Sequence, residues 1–484
     1  MKSNFPSPAR LPEIIQGGMG VGVSSWQLAR AVSSAGQLGV VSGTMIDVVV
    51  ARNLQLGDPG GHIRRALASF PNQTLAARFQ DRYFIDGGKA ADASFRTVPM
   101  SALPPSAASV EFSILASYVT VWLAKEGHDG VVGLNLLEKS QIPTMPFLYG
   151  AMLAGVDYVL MGAGIPRQIP GVLDRLATHQ VTELRIDVTG ATEPVMLSFD
   201  PVAACGVIPT PLKRPAFLAV VSSAVLAKTL RNKASGHVDG FVVEFPNAGG
   251  HNAPPRGGMN LSESGEPTYG PRDAIDTVAI RDLGLPFWLA GGFGQAGKLI
   301  EAQAAGAIGI QVGTAFALSQ ESGFDPALKD RITTAIRAGD LSVFTDPVAS
   351  PTGFPFKVAN VPNTLADTGI YDSRNRICDI GVLREPFMKA DGSVGFRCSA
   401  EPVDTYLAKG GDITRTVGAK CLCNSLGASI GLGQHRSDGN DEAALITLGD
   451  DIASIRALLP EHDGTYTAVD LIERLLQGTA VLSP

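Results

Sequence analysis

The stretch FWLAGGFGQAGKLIEAQAAGAIGIQVGTAFA, residues 287–317, decides the fold. It opens with a short apolar run, 287–290, that stops on Gly291-Gly292-Phe293-Gly294. A helical pattern follows over 295–305, then a second apolar run, 308–312, that stops on Gly313-Thr314 and opens another helix. Continuous apolar runs of this length, each followed by a tight turn and a helix, mark strands of a parallel sheet buried on both faces. The same unit recurs upstream at 13–16, 38–42, 131–136, 156–161, 217–221 and 240–245. Eight strand–helix units in a row predict an α/β (β/α)₈ TIM barrel.

Several connecting helices are legible. Ser24 or Ser25 can cap a helix to about Ala35, with Leu28, Ala31 and Val32 on one face and Gly36 at its end. Residues 223–233 read as another helix. Runs at 184–188 and 195–199 flank Thr189-Gly190 as a hairpin, so about 182–212 is expected to leave the barrel. The long connection at about 51–128 reads as an insertion after strand two, holding a helix-like 63–70, an Asp86-Gly87-Gly88 turn and the Pro104-Pro105 break. Such a loop would sit at the top of the barrel, as a lid or as an ordered spacer. The expected domains are a barrel over 11–325 and an extension over 326–484 packed on it, turn-rich at 340–440 and helical over 450–476.

Composition narrows the function classes. The chain has 484 residues, 45% hydrophobic and 18% charged, with a formal net charge of −7. That is the balance of a globular protein with ample core. No basic block points to nucleic acid. No apolar run reaches the ~18 residues needed to cross a membrane, and the first ten residues lack an apolar signal-peptide core. A cytoplasmic protein is expected. Five cysteines do not make a disulfide framework. The pair Cys421 and Cys423, with Cys378 and Cys398 upstream, lacks a zinc spacing and reads as reduced structural thiols, with no metal expected.

Three motifs carry chemistry. Ile14-Ile15-Gln16-Gly17-Gly18-Met19-Gly20 is a strand ending in a glycine turn, which lets backbone approach a flat ring or a phosphate. Gly291, Gly292, Gly313 and Thr314 end the last two strands, where barrels often hold a phosphate. Glu244 to Asn252, ending the sixth barrel strand, contains Ala248-Gly249-Gly250-His251. The glycines leave room for a flat ligand, and an imidazole there suits proton transfer. Glu244 faces either the ligand or solvent. His62, His128, His179, His237 and His435 have no comparable setting and read as packing or surface residues.

In this order the three motifs resemble the nitronate monooxygenase family, formerly called 2-nitropropane dioxygenases, and the related FMN-dependent enoyl-ACP reductases. The resemblance implies FMN as cofactor. It places the Gly18-Met19-Gly20 turn against the isoalloxazine and Asn135 beside the flavin. It gives Ser222 a flavin-facing position, sets Gly249 and Gly250 beside the ring, and makes Gly291, Gly292, Gly313 and Thr314 the phosphate cradle. His251 is then the catalytic histidine. Gln16-Gly17-Gly18-Met19 departs from the Gln-Ala-Pro-Met of simpler members, and the additions at 51–128 and beyond 325 are similar to the long enoyl-reductase group. Two activities are implied: oxidation of an alkyl nitronate with dioxygen, or NAD(P)H-dependent reduction of an enoyl thioester, for which an acyl carrier protein is a candidate partner. The rival non-enzymatic reading is a barrel kept as a scaffold, which would bind no flavin.

Overall fold

The computed structural model describes residues 11–436, 439 and 441–477. Its first strands are β1 (Ile14–Gln16), β2 (Gly39–Ser42), β3 (Val132–Leu137) and β4 (Tyr158–Gly162). A hairpin of β5 (Thr182–Ile186) and β6 (Val195–Phe199) follows, then β7 (Ala216–Val221), β8 (Gly240–Glu244), β9 (Phe287–Ala290) and β10 (Gly309–Val312). Eight strands form one parallel sheet in the order β1-β10-β9-β8-β7-β4-β3-β2. A parallel bridge between Ile15 and Leu38 joins its two ends and closes the barrel. The antiparallel β5–β6 pair stands outside this sheet. The fold is the (β/α)₈ TIM barrel that the eight apolar runs predict.

Burial on both faces explains why those runs are unbroken. Ile15, Leu38, Val40, Leu160, Leu218, Val242 and Trp288 fill the lumen, while alternate residues such as Ile14, Val41, Val159 and Phe241 pack under the helices. Each such side chain contributes roughly 1.5–3 kcal/mol on leaving water. Two polar groups inside the barrel show how such groups are paired. Trp288 Nε1 donates to the Pro12 carbonyl at 2.8 Å. Gln16 Nε2 donates to Ser24 Oγ at 2.8 Å, while its Oε1 accepts from Val40 N at 3.0 Å. The first helix, α1 (Trp26–Ser34), starts at Ser25, whose side chain accepts from Leu28 N at 3.1 Å.

The 51–128 connection is helical rather than loose. After α2 (Ile46–Gln55) come α3 (His62–Ala68), α4 (Gln73–Tyr83) and α5 (Ala107–Lys125). Helix α5 packs against α1, α2, α3 and α6 (Thr144–Leu153), in the position of the β2–β3 crossover helix. Its approach to α6 is close: a Cβ at Gly150 would lie 2.1 Å from the Ile114 carbonyl oxygen, so only glycine fits there. Phe79, Tyr83 and Phe112 meet edge-on with ring centroids 4.9–5.4 Å apart. At 19 residues, α5 is longer and more apolar than the sequence reading allowed, and by length and composition alone it could cross a membrane. With 67% of its most apolar window buried, it is a core helix.

Beyond the barrel, a helix Pro326–Ala338 leads into two hairpins, β11 (Val343–Asp346) with β12 (Phe356–Ala359) and β13 (Glu385–Met388) with β14 (Val394–Arg397). Phe356, Val358, Leu365, Ile380, Leu422 and Leu426 form a second core with Met45 and Val48 of the barrel side. The tail that reads as helical over 450–476 holds two helices, Ile452–Leu458 and Ala468–Leu476. Pro460 ends the first, and Thr467 with Asp470 forms a capping box that starts the second.

Candidate active site

A large cavity opens at the C-terminal ends of the barrel strands. It spans about 1780 Å³ of space, open solvent at its mouth included. Gly18, Met19, Gly20, Asn135, Gly249, Gly250, His251, Gly291, Gly292, Gly313 and Thr314 all line it. Residues far apart in sequence are thus brought to one wall by the parallel strands that carry them.

Local hydrogen bonds set the turns. Ser24 Oγ donates to the Gly17 carbonyl at 2.8 Å and accepts from Met19 N at 2.8 Å, which pins the first glycine turn. Asn135 Nδ2 reaches the Gly18 carbonyl at 3.4 Å. Gly291 has φ +93°, and a Cβ there would lie 2.8 Å from the Phe245 carbonyl, so a side chain would be both strained and blocked.

His251 is held by the extension. Its Nε2 lies 2.7 Å from Ser350 Oγ, and its ring meets Phe356 edge-on with centroids 4.8 Å apart. Burial among these groups pushes the imidazole pKa down to about 4, so the ring is neutral near pH 7. Burial also pushes the Glu244 carboxyl up to about 8, making it largely a neutral acid there. Glu244 lines the cavity; the strand-end carboxylate facing solvent is not what is observed.

Ser222 is a correction. It does not line this cavity; Val220 does. β7 ends at Val221, and the Ser222 carbonyl accepts from Arg256 Nη2 at 2.8 Å, so the chain turns away. Ser222 instead borders a small separate pocket with Phe245, Arg256 and Tyr269. The 51–128 connection contributes no lining residue to this cavity among those described.

The wall that the sequence reading missed comes from the extension: Phe356, Leu383, Leu422, Thr447, Leu448, Gly449 and Asp451. Two bonds tie it down. Gly250 N donates to Thr447 Oγ1 at 2.8 Å, and Gly449 N donates to Thr314 Oγ1 at 2.8 Å. Thr314 therefore anchors the extension as well as lining the cavity. Asp451 accepts from Gln295 Nε2 at 2.9 Å and from Ser454 Oγ at 2.5 Å.

The cysteines are all free, and Cys378, Cys398, Cys421 and Cys423 border one small cavity in the extension. Burial pushes the Cys378 thiol up to about 11 and Cys398 to about 12. Among the described residues no group of three or more His, Cys, Asp or Glu side chains is placed to hold a metal ion.

An orphaned atom tests the fit of a flavin. Gln311 Oε1 is buried on the cavity wall without a hydrogen-bond partner, which costs about 1–3 kcal/mol unless a ligand donor meets it. The isoalloxazine carries such an N–H donor, and the glycine turns leave a flat ligand unobstructed. The residues present fit the group.

The fold is a TIM barrel, and the cavity at its strand ends is a candidate flavin site. Residues 181–349 match the family model described as nitronate monooxygenase, a stretch that holds His251, Gly291, Gly292, Gly313 and Thr314. Among solved structures, the chain is similar to nitroalkane oxidase from Streptomyces ansochromogenes at 14% identity and TM-score 0.47, covering 98% of each chain. It is similar to FabK from Thermotoga maritima at 17% identity and TM-score 0.44, covering 96% of this chain and 92% of that one. It is also similar to the enoyl reductase domain of MlnA from Bacillus amyloliquefaciens, at 11% identity and TM-score 0.46, covering 98% and 95%. At such distances nothing about substrate passes from them. No curated protein matches the chain.

Proposed function

We propose that the chain binds FMN and acts as a nitronate monooxygenase, oxidising alkyl nitronates with dioxygen to carbonyl compounds and nitrite. One observation carries the reading: a half-buried, neutral imidazole and three glycine turns share one cavity, and the stretch bearing two of those turns and His251 matches the family model described as nitronate monooxygenase.

Gly18, Met19, Gly20 and Asn135 would hold the ring, with Gln311 Oε1 taking a ring N–H. Gly249 and Gly250 would flank it. Gly291, Gly292, Gly313 and Thr314 would hold the phosphate end. When bound, FMN supplies the electron transfer between nitronate and dioxygen. His251 accepts the α-proton of a neutral nitroalkane, or hydrogen-bonds the nitro oxygens of a nitronate that arrives already ionised. Phe356, Leu383 and Leu422 exclude water from the same space. A neutral Glu244 adds a proton donor to the wall without adding charge.

A second reading, NAD(P)H-dependent reduction of an enoyl thioester, draws on one feature. Val382 and Leu383 line both this cavity and a neighbouring one of about 920 Å³, which gives an elongated substrate somewhere to extend. Acyl carrier protein would be its partner.

The deciding experiment is oxygen uptake and nitrite release by FMN-loaded protein given propyl-1-nitronate. Stoichiometric nitrite supports the proposal. No oxygen uptake, with fast anaerobic bleaching of the flavin by NADPH and reoxidation by an enoyl thioester, transfers the assignment to the second reading.

A further inference from the structure

We propose that Ser350, on the loop between β11 and β12, is the positioning residue for His251. This rests on reading His251 as the proton-transfer group.

The extension grips the histidine loop along its backbone. Lys357 N donates to the Gly250 carbonyl at 2.9 Å, and Asn252 N donates to the Pro355 carbonyl at 2.9 Å. His251 and Phe356 form an antiparallel bridge between these two bonds. The backbone path fixes where the imidazole starts, but leaves its ring free to rotate. Ser350 removes that freedom. It is 4% exposed, and its Oγ lies 2.7 Å from His251 Nε2.

Ser350 is itself held. Its Oγ lies 2.8 Å from Thr352 Oγ1 and accepts from Thr352 N at 3.3 Å. Thr352 Oγ1 in turn accepts from Phe354 N at 3.4 Å. The short Ser350–Phe354 turn is thus a hydroxyl relay whose open end is the imidazole. Ser350 does not line the cavity, so it reaches substrate only through His251.

The partner on one ring nitrogen selects the tautomer and so the state of the other. With Nε2 committed to Ser350, Nδ1 is the nitrogen left to exchange a proton. Without the hydroxyl, the neutral ring samples both tautomers and more than one rotamer, and only a fraction is competent. Losing the group that orients a metal-bound imidazole costs roughly 10–100-fold, and the same scale is expected for this ring.

The test uses FMN-loaded full-length protein. Ser350→Ala should lower kcat on neutral nitroethane roughly 10–100-fold. KM and turnover of preformed ethyl nitronate, which needs no deprotonation, should change less than about threefold. Ser350→Thr, which keeps the hydroxyl, should recover most of the loss. A general loosening of the loop would depress both substrates alike and would sink the proposal. Independently of any turnover, ¹⁵N spectra of histidine-labelled protein should show one neutral tautomer for His251 in the parent and a mixture in Ser350→Ala. An unchanged tautomer signal overturns the proposal even if His251 proves catalytic. A changed signal in Ser350→Ala, where the parent itself turns over neither substrate, upholds it and refutes the function reading instead.

Discussion

Gly18→Ala is a sharp probe of how the first glycine turn faces its ligand. Gly18 does not occupy the left-handed region, so alanine suits its backbone and only space is at issue. The added Cβ would lie 2.2 Å from Asn135 Cβ and 2.8 Å from its Cγ, where carbon atoms normally stand about 3.5–4.0 Å apart. Asn135 Cβ is fixed to the β3 backbone, so no rotamer relieves the contact. The turn must move, and overpacking of this kind costs about 1–3 kcal/mol. Both residues line the cavity, so the turn gives way into the space a ring would occupy. At 1.4 kcal/mol per factor of ten, FMN affinity should fall roughly 5–150-fold. Quenching of FMN fluorescence on titration into apoprotein measures this, with a thermal melt run alongside. Adding Asn135→Gly removes the obstructing Cβ, so the double variant should recover the melting temperature lost to the clash, whereas Asn135→Ala keeps that carbon and should not. Gly18→Ala protein that binds FMN within twofold of the parent, with an unchanged melt, would refute the geometry.

Three further outcomes are expected. His251→Ala should lose ~10²–10⁴ in turnover while keeping its flavin absorbance, and a loss below threefold removes it from the mechanism. Glu244 binds a proton up to about pH 8 when folded, against an ordinary value of 4.5. Between those values the folded apoprotein holds a proton the unfolded chain lacks, so this group's contribution to stability is lost as pH rises. Glu244→Gln apoprotein should therefore melt higher than the parent at about pH 9, with the gain shrinking toward pH 5; parallel melting curves would contradict the buried acid. Thr447→Val leaves the Gly250 N–H without its acceptor and should cost about 1–3 kcal/mol in denaturant unfolding; an unchanged midpoint would refute the contact.

How much of this was legible follows from how each part buries its surface. Strands covered on both faces are apolar at most positions, so the eight barrel runs stand out from sequence alone. Helix α5 does not, because Ser109, Ser113 and Ser117 interrupt its apolar pattern while being buried. Ser117 Oγ satisfies itself on the Ile114 carbonyl at 3.2 Å, which lets a hydroxyl sit in the helix contact. The glycine turns and His251 were readable because glycine in such turns and a histidine beside them are chemically conspicuous. Ser222 was misplaced by one residue of strand end, where Arg256 captures its carbonyl. The extension's wall was invisible: Ser350, Thr447 and Gly449 are ordinary loop residues whose partners lie 99, 197 and 135 positions away. No local pattern encodes a contact of that range.

That range governs when the pocket can first exist during synthesis. Thr314 must wait for Gly449, 135 residues later, which at ~5–20 residues per second is roughly 7–27 s of translation. Through that interval the nascent barrel presents its catalytic face unroofed, its apolar mouth open to water and to neighbouring chains. A cell short of chaperones should therefore lose this protein to aggregation before it loses barrels whose pockets are closed by their own strand–helix loops.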